Sequence, residues 1–233
     1  METMTTSIIL PFLVFFPFLG AVISYIIGRS NKGARDIWCW ILSAVIFIAS
    51  LTLIGKETVY SLRGFCGLGL SFAADGFGVI LAVLTGAIWL ITTIFSKEYM
   101  AAERNRNRYY FFVFLTLGAT MGIFLSADLF TTFIFFEIMS FTSFVLVMHD
   151  EEDFTVRSAK TYLAVAVIGG LVTLMGLFMM YQKAGTLNMA ELTAFMQSRE
   201  NPAEFYTIGV LILFGFAAKA GLFPLHIWLP NAY

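Results

Sequence analysis

Seven long apolar runs divide the chain, and they constrain its fold more than any other feature. They extend over Ser7 to Gly28, Ile37 to Ile54, Gly76 to Phe95, Tyr109 to Ser126, Leu129 to Met148, Ser158 to Tyr181, and Tyr206 to about Phe223. A helix rises ~1.5 Å per residue, so about 20 apolar residues cross a hydrocarbon core of ~30 Å. With 59% hydrophobic and 12% charged residues among 233, and a mean hydropathy of +0.85, the chain lies outside the range of soluble domains. The composition predicts an all-α, polytopic transmembrane helical bundle of about seven helices in a cell membrane, as one domain over residues 1–233.

The same reading excludes other classes. "METMTTS" lacks a basic n-region and the first apolar run is too long for an h-region, so a retained first helix is expected rather than a cleaved signal. Cys39 and Cys66 form no closely spaced motif, which argues against a thiolate metal site or iron-sulfur cluster. No redox centre and no cofactor are expected in this chain. A net charge of -1, with the basic residues spent on loops, gives no sign of a nucleic-acid partner.

Lysine and arginine in short loops stay on the cytoplasmic side, so their placement orients the helices. Arg29, Lys32, Arg35, Lys97, Arg104, Arg106, Arg108, Arg157 and Lys160 fall on one side, nine in all, against Lys56, Arg63, Lys183 and Arg199 on the other. This bias predicts an N-terminus outside. The cluster "AAERNRNRYY" reads as a topology anchor rather than a lipid or nucleic-acid patch, and "HDEED" at 149–153 as a solvated inner loop. The outer stretch "GKETVYSLRGFCGLGLSFAADG", weakly alternating and with five glycines, predicts a small hairpin. Asp75 then caps the third helix. Pro11 and Pro17 are expected to bend the first helix, and Met175, Met179 and Met180 to serve as packing residues.

Two charges inside apolar runs demand an explanation. A Glu or Lys near a bilayer centre costs at least ~2.5 to 3.5 kcal/mol, so each needs a partner, a wet cavity or a function. Glu137 lies eight residues into its helix, and Lys219 lies thirteen residues into another helix of the same direction. Their depths of roughly 12 and 20 Å differ by about 8 Å, which leaves a direct or water-bridged pair open. Ser140, Ser143 and Thr132 share the broad face of Glu137, and small residues surround Lys219 in "FGFAAKAGLFPLHIWLP". Pro224 removes a backbone N–H there, and a break at this depth is tolerated only beside protein or water. His226 fits either a proton relay or a hydrogen bond that holds the break. A purely structural ion pair is the plain alternative for Glu137 and Lys219.

Four stretches resemble the antiporter-like proton-translocating subunits shared by respiratory complex I (NADH-quinone oxidoreductase), membrane-bound hydrogenases and Mrp-type cation/proton antiporters. "FIFFEIMS" is similar to the fifth-helix signature around the essential glutamate, and "VRSAKTYL" to the start of the sixth helix. "AAKAGLFPLHIWLPNA" resembles the seventh-helix lysine followed by its break and the P-L-H-x-W-L-P motif, and "ADGFG" the opening of the third helix. The resemblance implies that Glu137 and Lys219 are the coupled carboxylate and lysine, that Lys160 occupies a sixth-helix position, and that His226 is the motif histidine. Phe136 stands where tryptophan is common, and Asn231-Ala232-Tyr233 where D-A-H is frequent. Members carry about fourteen helices in two inverted repeats, so the chain looks like an N-terminal half with a discontinuous seventh helix. On its own it is expected not to pump.

The resemblance therefore implies a proton-translocating subunit, with H+ or Na+ as the ion and other membrane subunits as partners. The redox-driven, NADH-quinone oxidoreductase or hydrogenase form leads, and the chain would be a non-redox subunit of that oxidoreductase complex. An Mrp-type antiporter subunit is the alternative, followed by an independent secondary transporter. In this mechanism the ammonium of Lys219 is stabilised when Glu137 is near, and desolvation favours the neutral amine when the two separate.

Overall fold

The computed structural model describes residues 5–62, 64–198 and 202–232. Arg63 and Arg199, counted above for topology, and Tyr233 of the closing motif lie outside the described residues. The chain forms two compact units, one ending at Ser126 and the other beginning at Ala127.

The first unit contains α1 (Ile9–Ser30), α2 (Lys32–Leu51), α3 (Gly76–Tyr99) and α4 (Arg106–Phe124). Helix α1 packs on α2 and α4, and α3 packs on α2 and α4. Small residues set these approaches: a Cβ on Gly86 would lie 3.0 Å from the Phe47 Cα, and one on Gly118 2.6 Å from the Phe18 ring. Ser43 and Thr93 share a buried hydrogen bond of 2.9 Å between α2 and α3. The expected hairpin forms from β2 (Thr58–Leu62) and β3 (Leu70–Ala74), antiparallel, with β1 (Thr5–Thr6) parallel on the β2 edge. Asp75 caps α3 by accepting from the Gly78 N–H at 2.5 Å.

The second unit contains α5 (Leu129–Val147), α6 (Asp153–Ala184), a short α7 (Met189–Gln197), α8 (Tyr206–Ala220) and a final turn α9 (Leu229–Ala232). Helix α6 packs on α5 and α8. A core of Phe130, Phe133, Leu177, Met180, Leu192 and Ile208 closes one end. Met180 belongs to this core and Met179 packs against it, whereas Met175 is exposed.

All seven predicted helices are present, and among the described residues six are long and apolar enough to span a membrane. Helix α4 falls short in hydropathy because Arg106 and Arg108 sit in its first turn. Exposed faces are apolar, as in the α3 series Phe77, Ile80, Leu84, Ile88 and Ile91, which is the pattern of a helix facing lipid. The chain is a multi-pass membrane protein. Three details differ from the sequence reading. Helices α2, α4 and α6 begin five, three and five residues before the apolar runs, because a helix continues into the polar interface once its backbone bonds are made. Pro11 sits in the first turn of α1, where its missing N–H costs nothing, and α1 continues unbroken through Pro17. Helix α7 carries no apolar run and was not expected; Asn188 caps it by accepting from Ala190 and Glu191.

Candidate functional site

Helix α6 carries a seam of small residues that lets α8 come close. A Cβ on Gly169 would lie 3.0 Å from the Ala218 Cβ, and one on Gly176 2.7 Å from Ile212 Cγ1. One on Gly215 of α8 would collide with the Thr173 hydroxyl. Gly169, Thr173 and Gly176 recur at the four- and three-residue steps of one helix face. The neighbouring Gly170 turns toward α5 instead, where an added Cβ would lie 2.6 Å from Glu137 Oε1 and 2.8 Å from its Cδ. The glycine pair thus seats α8 on one side and the Glu137 carboxylate on the other.

Helix α5 is held at its start by Asp128, which accepts from the Thr131 N–H at 2.7 Å and from its hydroxyl at 2.6 Å. Two turns on, Glu137 is half-buried, and its Oε1 is buried without a hydrogen-bond partner among the described residues. The hydroxyls expected to make its surroundings polar bond elsewhere. Ser140 donates to the Phe136 carbonyl at 2.8 Å, Ser143 to the Met139 carbonyl, and Thr132 to the Asp128 carbonyl at 2.9 Å.

Lys219 reaches α5 one residue away from Glu137. Its Nζ donates to the Phe136 carbonyl at 2.6 Å and stands 4.2 Å from the centre of the Phe136 ring. A neutral acceptor and an aromatic face hold this cation. The Phe136 ring is itself packed edge-on against Phe216 of α8 at 4.9 Å. Among the described residues no ion pair joins Lys219 to Glu137. The depth offset inferred from sequence closes because a helical side chain points back toward its N-terminus, which carries the lysine head back along α8 to the level of Phe136.

The break after Lys219 begins at Gly221, three residues before the expected Pro224. Gly221 adopts φ +66°, a conformation that costs glycine little, and the Leu222 N–H closes the helix by donating to the Ala217 carbonyl at 3.0 Å. Termination leaves the Ala218 carbonyl without a helical donor. The Trp228 indole fills that role at 2.9 Å from the 3-10 turn Leu225–Trp228. Its ring meets Tyr162 of α6 edge-on at 4.8 Å, and the Tyr162 hydroxyl donates to Ser143 Oγ at 3.2 Å.

The structure therefore brings together Glu137 and Lys219 but not the other two candidates. His226 lies in the 3-10 turn, with a buried Nδ1 that has no hydrogen-bond partner among the described residues, and it bonds to neither residue through its side chain. Lys160 is exposed in the second turn of α6. Sequence reasoning missed Gly169, Gly170, Tyr162 and Trp228 as positioning residues. The adjacent glycines in the middle of an apolar helix were the available signal, since each weakens a helix unless something must approach it.

Known proteins share this arrangement of elements. Residues 126–233, which contain the whole site, match the family model described as "NADH:quinone oxidoreductase/Mrp antiporter, TM". A protein named as a Na(+)/H(+) antiporter subunit, from Bacillus subtilis, is 31% identical over 99% of this chain and 47% of its own length. Another of the same name, from Alkalihalophilus pseudofirmus, is 32% identical over 71% of this chain and 34% of its own length. The chain thus spans between a third and a half of these curated relatives. A chain in the structure of the membrane-bound sulfane sulfur reductase, an archaeal respiratory membrane complex, shares the fold with TM-score 0.86, over 97% of this chain and 48% of that one, at 22% identity.

Proposed function

We propose, for a chain whose residues 126–233 belong to that family, that it is part of an ion-translocating subunit of a multi-subunit membrane complex. Lys219 carries the proton and Glu137 tunes its charge. One observation carries this reading: a half-buried ammonium rests on the carbonyl and ring of Phe136, beside a carboxylate whose Oε1 is buried without a hydrogen-bond partner among the described residues. A structural pair would be closed. This one is open, and a swing of the lysine head from the Phe136 carbonyl to the Glu137 carboxylate converts a weakly held cation into a paired one. The paired arrangement favours the ammonium; the separated one, in a desolvated site, favours release of the proton.

The name that both relatives carry, a Na(+)/H(+) antiporter subunit, favours the cation/proton antiporter form. The redox-driven form rests on the description of the family model. In both, the driving reaction sits in other membrane subunits, and this chain contributes no cofactor. His226 is assigned to holding or relaying at the break, and Lys160 to the basic end of α6.

Lys219→Arg against Lys219→Ala tests the carrier role, measured as ion translocation in vesicles from cells that express the subunit with its natural partners. Arginine keeps the charge and does not deprotonate in a protein. Both variants should lose transport while assembling. Transport near wild type for the arginine variant makes Lys219 a structural cation.

The nine-to-four basic bias supports an N-terminus outside. A cysteine at Lys56 should react with an impermeant reagent in intact cells and one at Asn105 only after permeabilisation. The reverse pattern inverts the topology.

A further inference from the structure

The basic starts of α2 and α4, the turn before α4 and Tyr25 of α1 border a cavity of about 900 Å³, within the roughly 300 to 1,000 Å³ range of small-molecule sites. Lys32, Arg35, Arg104, Arg106 and Arg108 line it, against the single carboxylate of Glu103. Asp36, behind the wall, takes up part of this charge: it binds Arg35 at 2.7 Å and Arg106 at 3.4 Å. The cavity remains strongly positive at Lys32 and Arg104, which are exposed. Arg106 adds a buried Nε with no acceptor among the described residues. The N-terminus of α4 opens here too, and Asn105 provides no side-chain cap, so the N–H groups of Arg106 and Asn107 are available to an anion.

A second wall has the opposite chemistry. Tyr25 of α1 and Phe111 of α4 meet edge-on at 5.8 Å, and Phe111 meets Phe112 at 5.2 Å. Each lies at least a turn inside its helix, so the cavity runs from a cationic rim to an aromatic floor along the direction in which a phospholipid passes from phosphate to acyl chain.

We propose that this cavity binds an anionic phospholipid, its phosphate between Lys32, Arg104 and the start of α4, and its glycerol and upper acyl carbons against Tyr25 and Phe111. A free phosphate would be satisfied by the rim alone and has no use for the aromatic floor. The arginine cluster that reads in sequence as a topology anchor is then also a lipid site. The proposal rests on the membrane topology and not on the transport mechanism of Lys219.

The test is lipid titration of the protein purified as it assembles in the membrane, delipidated in neutral detergent and followed by native mass spectrometry. The probes are phosphatidylglycerol, phosphatidylcholine of the same chains, soluble glycerophosphoglycerol and inorganic phosphate. Phosphatidylglycerol should bind at least about tenfold more tightly than the other three. A Lys32→Ala/Arg104→Ala variant should weaken it by roughly 20- to 30-fold, about fivefold for each cation near an anionic headgroup. An Arg29→Ala/Arg157→Ala control loses the same charge outside the cavity and should stay within about twofold of wild type. Equal binding of phosphatidylglycerol and phosphatidylcholine, or an equal loss in both double variants, overturns the proposal. Glycerophosphoglycerol or phosphate binding as tightly as the lipid makes the site one for a soluble phosphate and overturns it as well.

Discussion

The two units handle buried charge in opposite ways. In the first, Arg35 is 1% exposed and fully engaged: Nη2 and Nε bind Asp36 at 2.7 and 3.1 Å, Nη1 binds Asn107, and the guanidinium lies 4.7 Å from the centre of the Tyr110 ring. Arg106 reaches Asp36 and the Lys97 carbonyl through Nη2 alone, its Nε having no acceptor among the described residues, so the closed set is Arg35 with Asp36 and Asn107. This network ties the starts of α2 and α4 to the end of α3. In the second unit, Lys219 has a carbonyl and a ring, and Glu137 keeps an oxygen with no hydrogen-bond partner among the described residues. The difference separates charge that fixes helices from charge that can change state. A closed network holds its protons and its geometry together, whereas an open one has a second arrangement within reach.

The largest expected effect lies in the closed network. Asp36→Ala leaves Arg35 buried without its carboxylate, at a cost of about 3 to 5 kcal/mol. It should cut the amount of folded protein recovered from membranes, as read by thermal stability in detergent. Unchanged stability would remove the contrast between the units.

Lys219→Arg comes next. It should lower translocation about 100-fold, the loss typical of removing a proton-transfer group, while yield and stability stay close to wild type. A stability loss as large as that of Asp36→Ala would place Lys219 with the structural charges.

Glu137→Gln should have a smaller effect on the same assay, about tenfold, or ~1.4 kcal/mol of coupling lost. The amide keeps the size and removes the charge. Wild-type rates would show that Glu137 does not tune Lys219.

Trp228→Phe keeps the ring beside Tyr162 and removes the donor to Ala218. It should cost about 1 kcal/mol of stability, read as a modest fall in melting temperature with transport retained. A larger loss of transport than of stability would make the break itself part of the mechanism.

Much of this was legible before the fold. Hydropathy located the seven helices, the glycines and weak alternation of 55–76 located the hairpin, and Asp75 announced its cap. Glu137 and Lys219 stood out because charge in an apolar run is costly. Legibility stopped where a contact joins distant residues. Arg35 and Asp36 read as loop residues because the apolar run starts at Ile37, and their mutual ion pair is completed in its buried place by Asn107 and Arg106, some seventy positions later. Lys160 was named by resemblance and His226 by its place beside the break, and neither joins the pair.

Sequence alone determined that the chain spans a membrane, how many long helices it has, and which two charges lie deep within it, because transfer from water to hydrocarbon is a property of composition over a stretch of about 20 residues. What the charges face was decided by tertiary structure. Gly169 and Gly170 admit α8 on one side and Glu137 on the other, the tilt of the helical side chain brings Lys219 level with Phe136, and the α6 seam seats α8 against it. Those are questions of distances of a few ångströms between helices, set by which side chains are small enough to let backbones approach, and no local pattern carries them.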